Sequence, residues 1–354
     1  FELDATSVPT PPSPVATAHA DRPHRVGFLL VPGFPLMSYA SAVEPLRAAV
    51  TLTGEPLYAW SHLGIDGAPV ASSSGVTITP DLGFAAAGGL DLLMVCAGGN
   101  PAEFDHKPTF ARLRALAAAG VTIGGMSGGA WILARAGLLH GRRATIHWEH
   151  IPALLEEFPD LALERSLWVI DRDRITCAGG LASFDMMVEL IGRRHGADLA
   201  LRVCEWYLHT RSRSGDDAQR LSLRERWRTT NDRLLKVLAV MEERIEEPVG
   251  RVALAAIAGV TVRQLERLFA GHLGSTLGDH YLGLRLDRAR TLLRQTSLSV
   301  AEIAVACGFA APGHFARVYR TRFGRTPSGE RAASGRPAEA PAAGNEGGRG
   351  RAMP

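Results

Sequence analysis

The last third of the chain contains one segment twice. Residues 254–274 read LAAIAGVTVRQLERLFAGHLG and residues 303–324 read IAVACGFAAPGHFARVYRTRFG. Ile303 follows Leu254 by 49 positions, and a one-residue insertion in the turn then aligns Leu265 with Phe315, Arg267 with Arg317, Phe269 with Tyr319 and Gly274 with Gly324. Each copy is a short apolar stretch, a glycine (Gly259, Gly308) and an amphipathic stretch. Glycine tolerates the positive φ that an abrupt turn needs, so each copy has the grammar of a helix-turn-helix.

The second stretch of each copy separates two faces. Leu265, Leu268 and Phe269 recur at i, i+3, i+4 and belong to a core, while Arg263, Gln264 and Arg267 face outward. In the second copy Phe315, Val318 and Tyr319 are the core side, Gly313, His314 and Arg317 point outward, and Arg320 and Arg322 are within reach of phosphates. Arginine and glutamine are the side chains whose donors match guanine and adenine edges in the major groove. Thr261 is placed to cap the first reading helix. Between the copies GDHYLGLRLDRARTLLRQT predicts an amphipathic helix of roughly 18 residues, about 27 Å long, enough to set two reading helices about one DNA turn apart. Helix pairs occur in many α-helical domains and arginines often only solvate a face, but two copies with equivalent outward positions argue for double-stranded DNA as partner. Charge agrees: residues 1–210 hold 15 Lys+Arg against 21 Asp+Glu, and residues 211–354 hold 24 against 15. An arginine-preferring genome would give part of the same bias.

The stretch MEERIEEPV, then LAAIAGVTVRQLERLF, RLDRARTLL and VAEIAVACGFAAPGHFARVYRTRFGRTP resembles the DNA-binding domain of AraC-type regulators over about 100 residues. The resemblance implies an all-α double helix-turn-helix domain. Three positions depart from the family pattern. Ala311 stands where serine usually caps the second reading helix, Gly313 removes an outward side chain, and Leu277 replaces a common proline. The first two imply that the second unit positions the protein more than it reads bases.

From His24 to about Cys204 the pattern changes to alternating strand and helix signals. RVGFLLV, LYAWSHL, GVTITP, DLLMVCAGG, VTIGGM and ITCAGG are strand candidates; YASAVEPLRAAV, PTFARLRALAAAG and SFDMMVELIGRRHG are helical. Alternation of this kind implies a mainly parallel sheet covered on both faces, a flavodoxin-like α/β fold. The expected organisation is a tail at 1–23, an α/β domain at 24–205, a polar linker with one short helix at 206–230, the helical domain at 231–331 and a second tail at 332–354. The four cysteines are far apart, without zinc spacing or a disulfide framework. No apolar run reaches the roughly 20 residues of a membrane helix, and the first residues lack the pattern of a signal peptide. These features together predict a cytoplasmic, nucleoid-associated protein with no membrane partner, no metal and no cofactor.

The richest α/β segment is VTIGGMSGGAWILARAGLLHGRRATIHWEH. Gly125-x-Ser127-x-Gly129 fits a nucleophile elbow, a sharp strand-to-helix turn that presents Ser127 beside a helix N-terminus. The Cys96–Asn100 segment, with Gly99, could offer backbone N–H groups to an oxyanion. A hydrolase also needs a base oriented by an acid. Asp171, Asp173 or Asp185 followed by His195 fits that order only loosely, so Ser127 is read as a vestigial elbow. The region resembles the class I glutamine-amidotransferase-like (PfpI-type) domain fused to AraC-type domains in GlxA-like regulators. Enzymatic relatives usually carry cysteine at the elbow, often followed by histidine, and a glutamate early in the first helix. Here Ser127, Gly128 and the Met37-Ser38-Tyr39 stretch depart from all three, which implies binding and no turnover.

FLLVPGFPLMSYASAVEPLRAA, ARAGLLHGRRATIHWE and CAGGLASFDMMVELIGRRHGA resemble, more narrowly, the regulators of arginine, glycine betaine and carnitine catabolism. That implies an amino acid or quaternary amine as effector. Phe34, Trp131 and Trp148 can form an aromatic wall for a cationic head, Glu44 or Glu149 can offset its charge, and the N–H groups of Ser127 to Gly129 can hold a carboxylate. His147 is placed beside them; with His150 and Glu149 it would supply too few ligands for a metal. Trp131 also has the spacing of a core residue. The chain is thus expected to be an effector-responsive activator, a homodimer working with RNA polymerase. A serine hydrolase fused to a DNA-binding domain, and a DNA-binding protein whose α/β domain only dimerises, are the two alternatives.

Overall fold

The computed structural model describes residues 22–333, and the terminal tails lie almost wholly outside them. The α/β domain begins β1 (His24–Leu30), α1 (Leu36–Thr53), β2 (Tyr58–Gly64), a two-residue ladder of β3 (Val70–Ala71) with β4 (Thr77–Ile78), β5 (Leu82–Gly83) and β6 (Leu92–Ala97). It continues α2 (Lys107–Ala118), β7 (Thr122–Ser127), α3 (Gly129–Arg135), β8 (Arg143–Thr145), α4 (Ile151–Glu157), β9 (Ala162–Glu164), β10 (Trp168–Asp171) and β11 (Arg174–Cys177). Helices α5 (Ala182–His195) and α6 (Ala197–Trp206) close it.

Seven strands form one sheet in the order β10-β11-β7-β6-β1-β2-β5. All neighbours are parallel except β10 with β11. Every residue of β6 is buried, as are the last five of β1. Strands covered by helices on both faces have no polar side to show, which is why the sequence reads there as unbroken apolar runs. One expectation shrinks. GVTITP supplies only β4, which pairs antiparallel with β3 outside the main sheet, and Pro80, two residues past its end, is unable to donate to a central ladder. The antiparallel edge strand β10 and the helix α6 carried no distinct sequence signal.

The helical part comprises α7 (Leu223–Arg226), α8 (Asp232–Glu243), α9 (Arg251–Ala258), α10 (Val262–Leu273), α11 (Leu277–Gln295), α12 (Val300–Ala306), α13 (Pro312–Phe323) and α14 (Pro327–Ala333). The first unit has its own core, in which Leu234, Leu238, Leu254, Leu265, Phe269 and Tyr281 pack together. The second unit does not. Its core residues Leu286, Leu292, Ile303, Phe315 and Tyr319 belong to the same buried cluster as Trp131, Ile151 and Leu154 of the α/β domain. The rod α11 therefore lies against α4, with Arg288 and Glu156 3.8 Å apart across the contact.

The expected linker is docked. Leu167 N donates to Gly215 O, Ser166 pairs with Ala218, and Gln219 Nε2 donates to Thr145 Oγ1, Ile146 O and Ser166 O at 3.0, 2.9 and 2.8 Å. Upstream, the fully buried Asp185 carboxylate meets His209, Ser212 and Arg213. A polar segment reads as linker because its partners lie far away in sequence; here those partners are backbone and side-chain groups of the sensor domain.

Candidate nucleic-acid interface and sensor crevice

The two helix-turn-helix units are α9–α10 and α12–α13. Thr261 caps α10: its side chain accepts from Gln264 N, and Gln264 Oε1 accepts from Thr261 N at 2.9 Å. Reciprocal capping satisfies donors that the first turn leaves free. Arg263, Gln264 and Arg267 are exposed, and among the described residues no ion pair engages either arginine. In α13 the first position is Pro312, and Ala311 makes no side-chain cap. His314, Arg317 and Arg320 are exposed; Arg317 Nη2 lies 3.2 Å from His314 Nδ1. Arg322 is exposed too, but its charge is already engaged. It falls on the helix stripe of Phe315 and Tyr319 and binds Asp287 of α11 at 2.9 and 3.1 Å. The departure at Leu277 also has a use: its N–H donates to Glu266 Oε2 at 3.2 Å, a bond proline cannot make.

In the sheet, the chain order reverses between β1 and β6. Ligands of open α/β sheets bind beyond the strand ends at such a switch point. The loops there are Val31–Pro35 and Gly98–Asn100, with the elbow beside them. Ser127 adopts φ 55°, a left-handed conformation that non-glycine residues occupy at a cost. Gly129 brings α3 so close that a Cβ there would stand 2.2 Å from Val95 O. The Gly128 N–H already donates to Ala97 O at 2.8 Å, so that donor is engaged inside the fold.

The aromatic candidates are arranged as a file of rings. Trp131 and His150 are 6.4 Å apart, His150 and His147 5.9 Å, and His147 and Trp148 5.4 Å. Trp131 and His150 are buried, and among the described residues Trp131 Nε1 has no hydrogen-bond partner. An unpaired buried donor of this kind marks a place where an acceptor belongs. Burial pushes the His147 and His150 imidazoles below their usual pKa, which favours the neutral rings. Glu149 is exposed, 4.0 Å from His147 Nδ1. Phe34 is fully buried against Tyr39, and Glu44 lies elsewhere on α1, bonded to Arg47 at 2.7 Å and to the Tyr207 hydroxyl at 2.6 Å. The file thus gathers Trp131, His147, Trp148 and Glu149; Phe34 and Glu44 stand apart from it.

The triad order expected of a hydrolase is not assembled. Ser127 ends β7, whereas His195 packs against Tyr58, which begins the parallel strand β2, at the opposite edge of the sheet. Asp185 serves the docked linker, and Asp171 binds Arg143 N and Arg172. Among the described residues no group of three His, Cys, Asp or Glu side chains could hold a metal ion, and no helix is long and apolar enough to cross a membrane.

Sequence reasoning gave Asn100 only a backbone role and passed over Arg220. Asn100 Nδ2, on the switch-point rim, donates to Arg294 O of the rod at 2.6 Å and to Glu103 at 2.8 Å. Arg220 of the docked linker covers the face of Trp148, 4.6 Å from the ring centroid. Neither sits in a periodic pattern, so no sequence signal marks them.

Exposed arginines on paired helix-turn-helix units, carried by an α/β domain whose elbow lacks catalytic partners, define a DNA-binding transcription regulator. The helix-turn-helix domain model matches residues 254–333 and the DJ-1/PfpI family model residues 24–193. Three curated relatives match along most of their length. The HTH-type transcriptional regulator CdhR of Pseudomonas aeruginosa is 46% identical, covering 89% of this chain and 93% of that one. GlxA of Rhizobium meliloti is 46% identical over 90% and 99% of the two chains, and GbdR of Pseudomonas aeruginosa 43% over 87% and 84%. The chain belongs to the AraC family of regulators, in the branch that joins a DJ-1/PfpI domain to the DNA-binding domain.

Proposed function

We propose that the α/β domain is a sensor for a small cationic metabolite with a carboxylate, an amino acid or a quaternary amine, and that its occupancy sets the placement of the DNA-reading units. The single observation that carries this is the contact between crevice and rod. Asn100 lies on the rim of the switch point and holds the carbonyl of Arg294 near the end of α11. A ligand that moves this rim acts on the helix joining the two units. It shifts the arrangement only by the difference in its affinity for the two states.

In this reading His147, Trp148 and Glu149 hold the effector, backed by the fully buried Trp131, with Ser127 and Gly99 near the rim. Arg263, Gln264 and Arg267 read bases; His314, Arg317 and Arg320 hold the neighbouring backbone. The protein acts as a homodimeric activator on chromosomal DNA in the cytoplasm and recruits RNA polymerase. The test is thermal unfolding of the full chain with glycine betaine, L-carnitine, L-arginine and other amino acids. A bound effector at 100 times its dissociation constant stabilises by about 2.7 kcal/mol. A flat response across cationic amino acids and betaines, with operator binding intact, removes the sensing role and leaves a domain that serves assembly.

A further inference from the structure

We propose that Arg220 is an internal stand-in for the effector's cationic head: it occupies the face of Trp148 when the site is empty and is expelled when a cation binds, loosening the linker. The idea rests on the sensing role proposed above and adds the switch. Trp148 is 42% exposed, so its face is open to a competitor from solvent. The guanidinium of Arg220 covers that face at 4.6 Å, within the range of cation–π attraction. No ion pair compensates Arg220 among the described residues, and its guanidinium, exposed on one side, lies among other arginines. Burial, and then Arg226, depress its pKa; Glu242 alone favours the charge, and Arg165 opposes it further. A cation held by a ring among like charges is easily replaced by a better-fitting one.

The location turns replacement into a signal. Gln219 is the last residue of the linker bonded to the sensor. Two residues after Arg220, Ser222 caps α7, whose Arg226 pairs with Glu242 of the first DNA-reading unit at 2.8 Å. Arg220 is therefore the final hold on the chain before it enters the DNA-binding domain. A tetraalkylammonium or guanidinium ligand on Trp148 would release it.

The experiment uses the full-length protein and three forms: wild type, Arg220→Met and Arg220→Lys. Calorimetric titration with tetramethylammonium chloride and with glycine betaine reads competition. Removing the internal cation is expected to tighten binding by about two- to fivefold, the factor equivalent to one exposed cation–π contact; Arg220→Lys should return it towards wild type. Equal affinity in all three forms overturns the stand-in while leaving sensing in place. Ligand-free hydrogen exchange at residues 215–221 reads the lock without any ligand. Arg220→Met should raise exchange there and Arg220→Lys restore protection; unchanged protection in Arg220→Met overturns the proposal. If no cation binds any form but exchange responds as expected, the lock stands and the sensing of cations fails.

Discussion

Alanine substitution at the two turn glycines should have unequal costs, although the repeat makes them equivalents. Gly259 and Gly308 both adopt positive φ, 64° and 74°, so each alanine incurs roughly 1 kcal/mol for the left-handed backbone. Around Gly259 nothing lies within 4 Å of a Cβ. At Gly308 a Cβ would stand 2.6 Å from Pro248 Cγ and 2.7 Å from Ile245 O, both in the loop between α8 and α9. A backbone carbonyl cannot rotate away, and overpacking of this kind adds about 1–3 kcal/mol. Gly259→Ala should therefore cost about 1 kcal/mol and Gly308→Ala about 2–4 kcal/mol. The second turn is further held by Arg285, which donates to Cys307 O and Gly308 O, so relief requires the second unit to part from the first unit's loop. Urea unfolding of the full chain at unchanged m-value reads the difference, and gel shift on an operator fragment should show the larger loss for Gly308→Ala. Equal midpoints for the two variants would refute the close contact and, with it, the fixed placement of the two reading helices.

Arg267→Ala should weaken specific DNA binding by about 1–3 kcal/mol and relax one base preference; an equal loss on every sequence in a binding-site selection would assign Arg267 to phosphate. Ser127→Ala should leave effector-dependent reporter expression within about twofold, because Ser127 Oγ has no base or acid partner among the described residues; abolition of a measured hydrolytic activity by this change would restore an enzymatic role. Glu330, 1% exposed, meets Arg290, Arg294 and Arg325. Burial pushes its carboxyl up, but the hydrogen bonds from Arg294 and Arg290 outweigh that and hold it below its usual pKa. Its contribution is then present above the unfolded value and lost as pH falls through the folded one. Glu330→Gln should cost about 1–3 kcal/mol at pH 7, below the full price of breaking a buried pair because the arginines are partly solvated. The difference from wild type should vanish in acid, as followed by thermal unfolding from pH 7 to 3.

The helical repeat, the capping role of Thr261, the missing cap at Ala311 and the strand-helix alternation were legible because each depends on local chain order. A period of 3.6 or an unbroken apolar run records which face a segment buries, whatever it is buried against. Family membership was legible for the same reason, since the motifs RL-x2-AR-x-LL and CGF-x4-HF are contiguous. Partners were less secure than elements: Arg322 reads as an outward cation and is exposed, yet its guanidinium is taken up by Asp287.

What only the tertiary structure decided is which distant surfaces meet. Asp185 and Gln219 make the polar segment a docked strap, Asn100 ties the crevice to the rod, and Arg220 finds Trp148 72 positions earlier in the chain. Such contacts join single polar side chains to single partners, so they leave no periodicity behind. Even two helix-turn-helix copies of the same pattern end in different surroundings, one with a private core and one sharing the sensor's, because burial depends on the neighbour as much as on the segment.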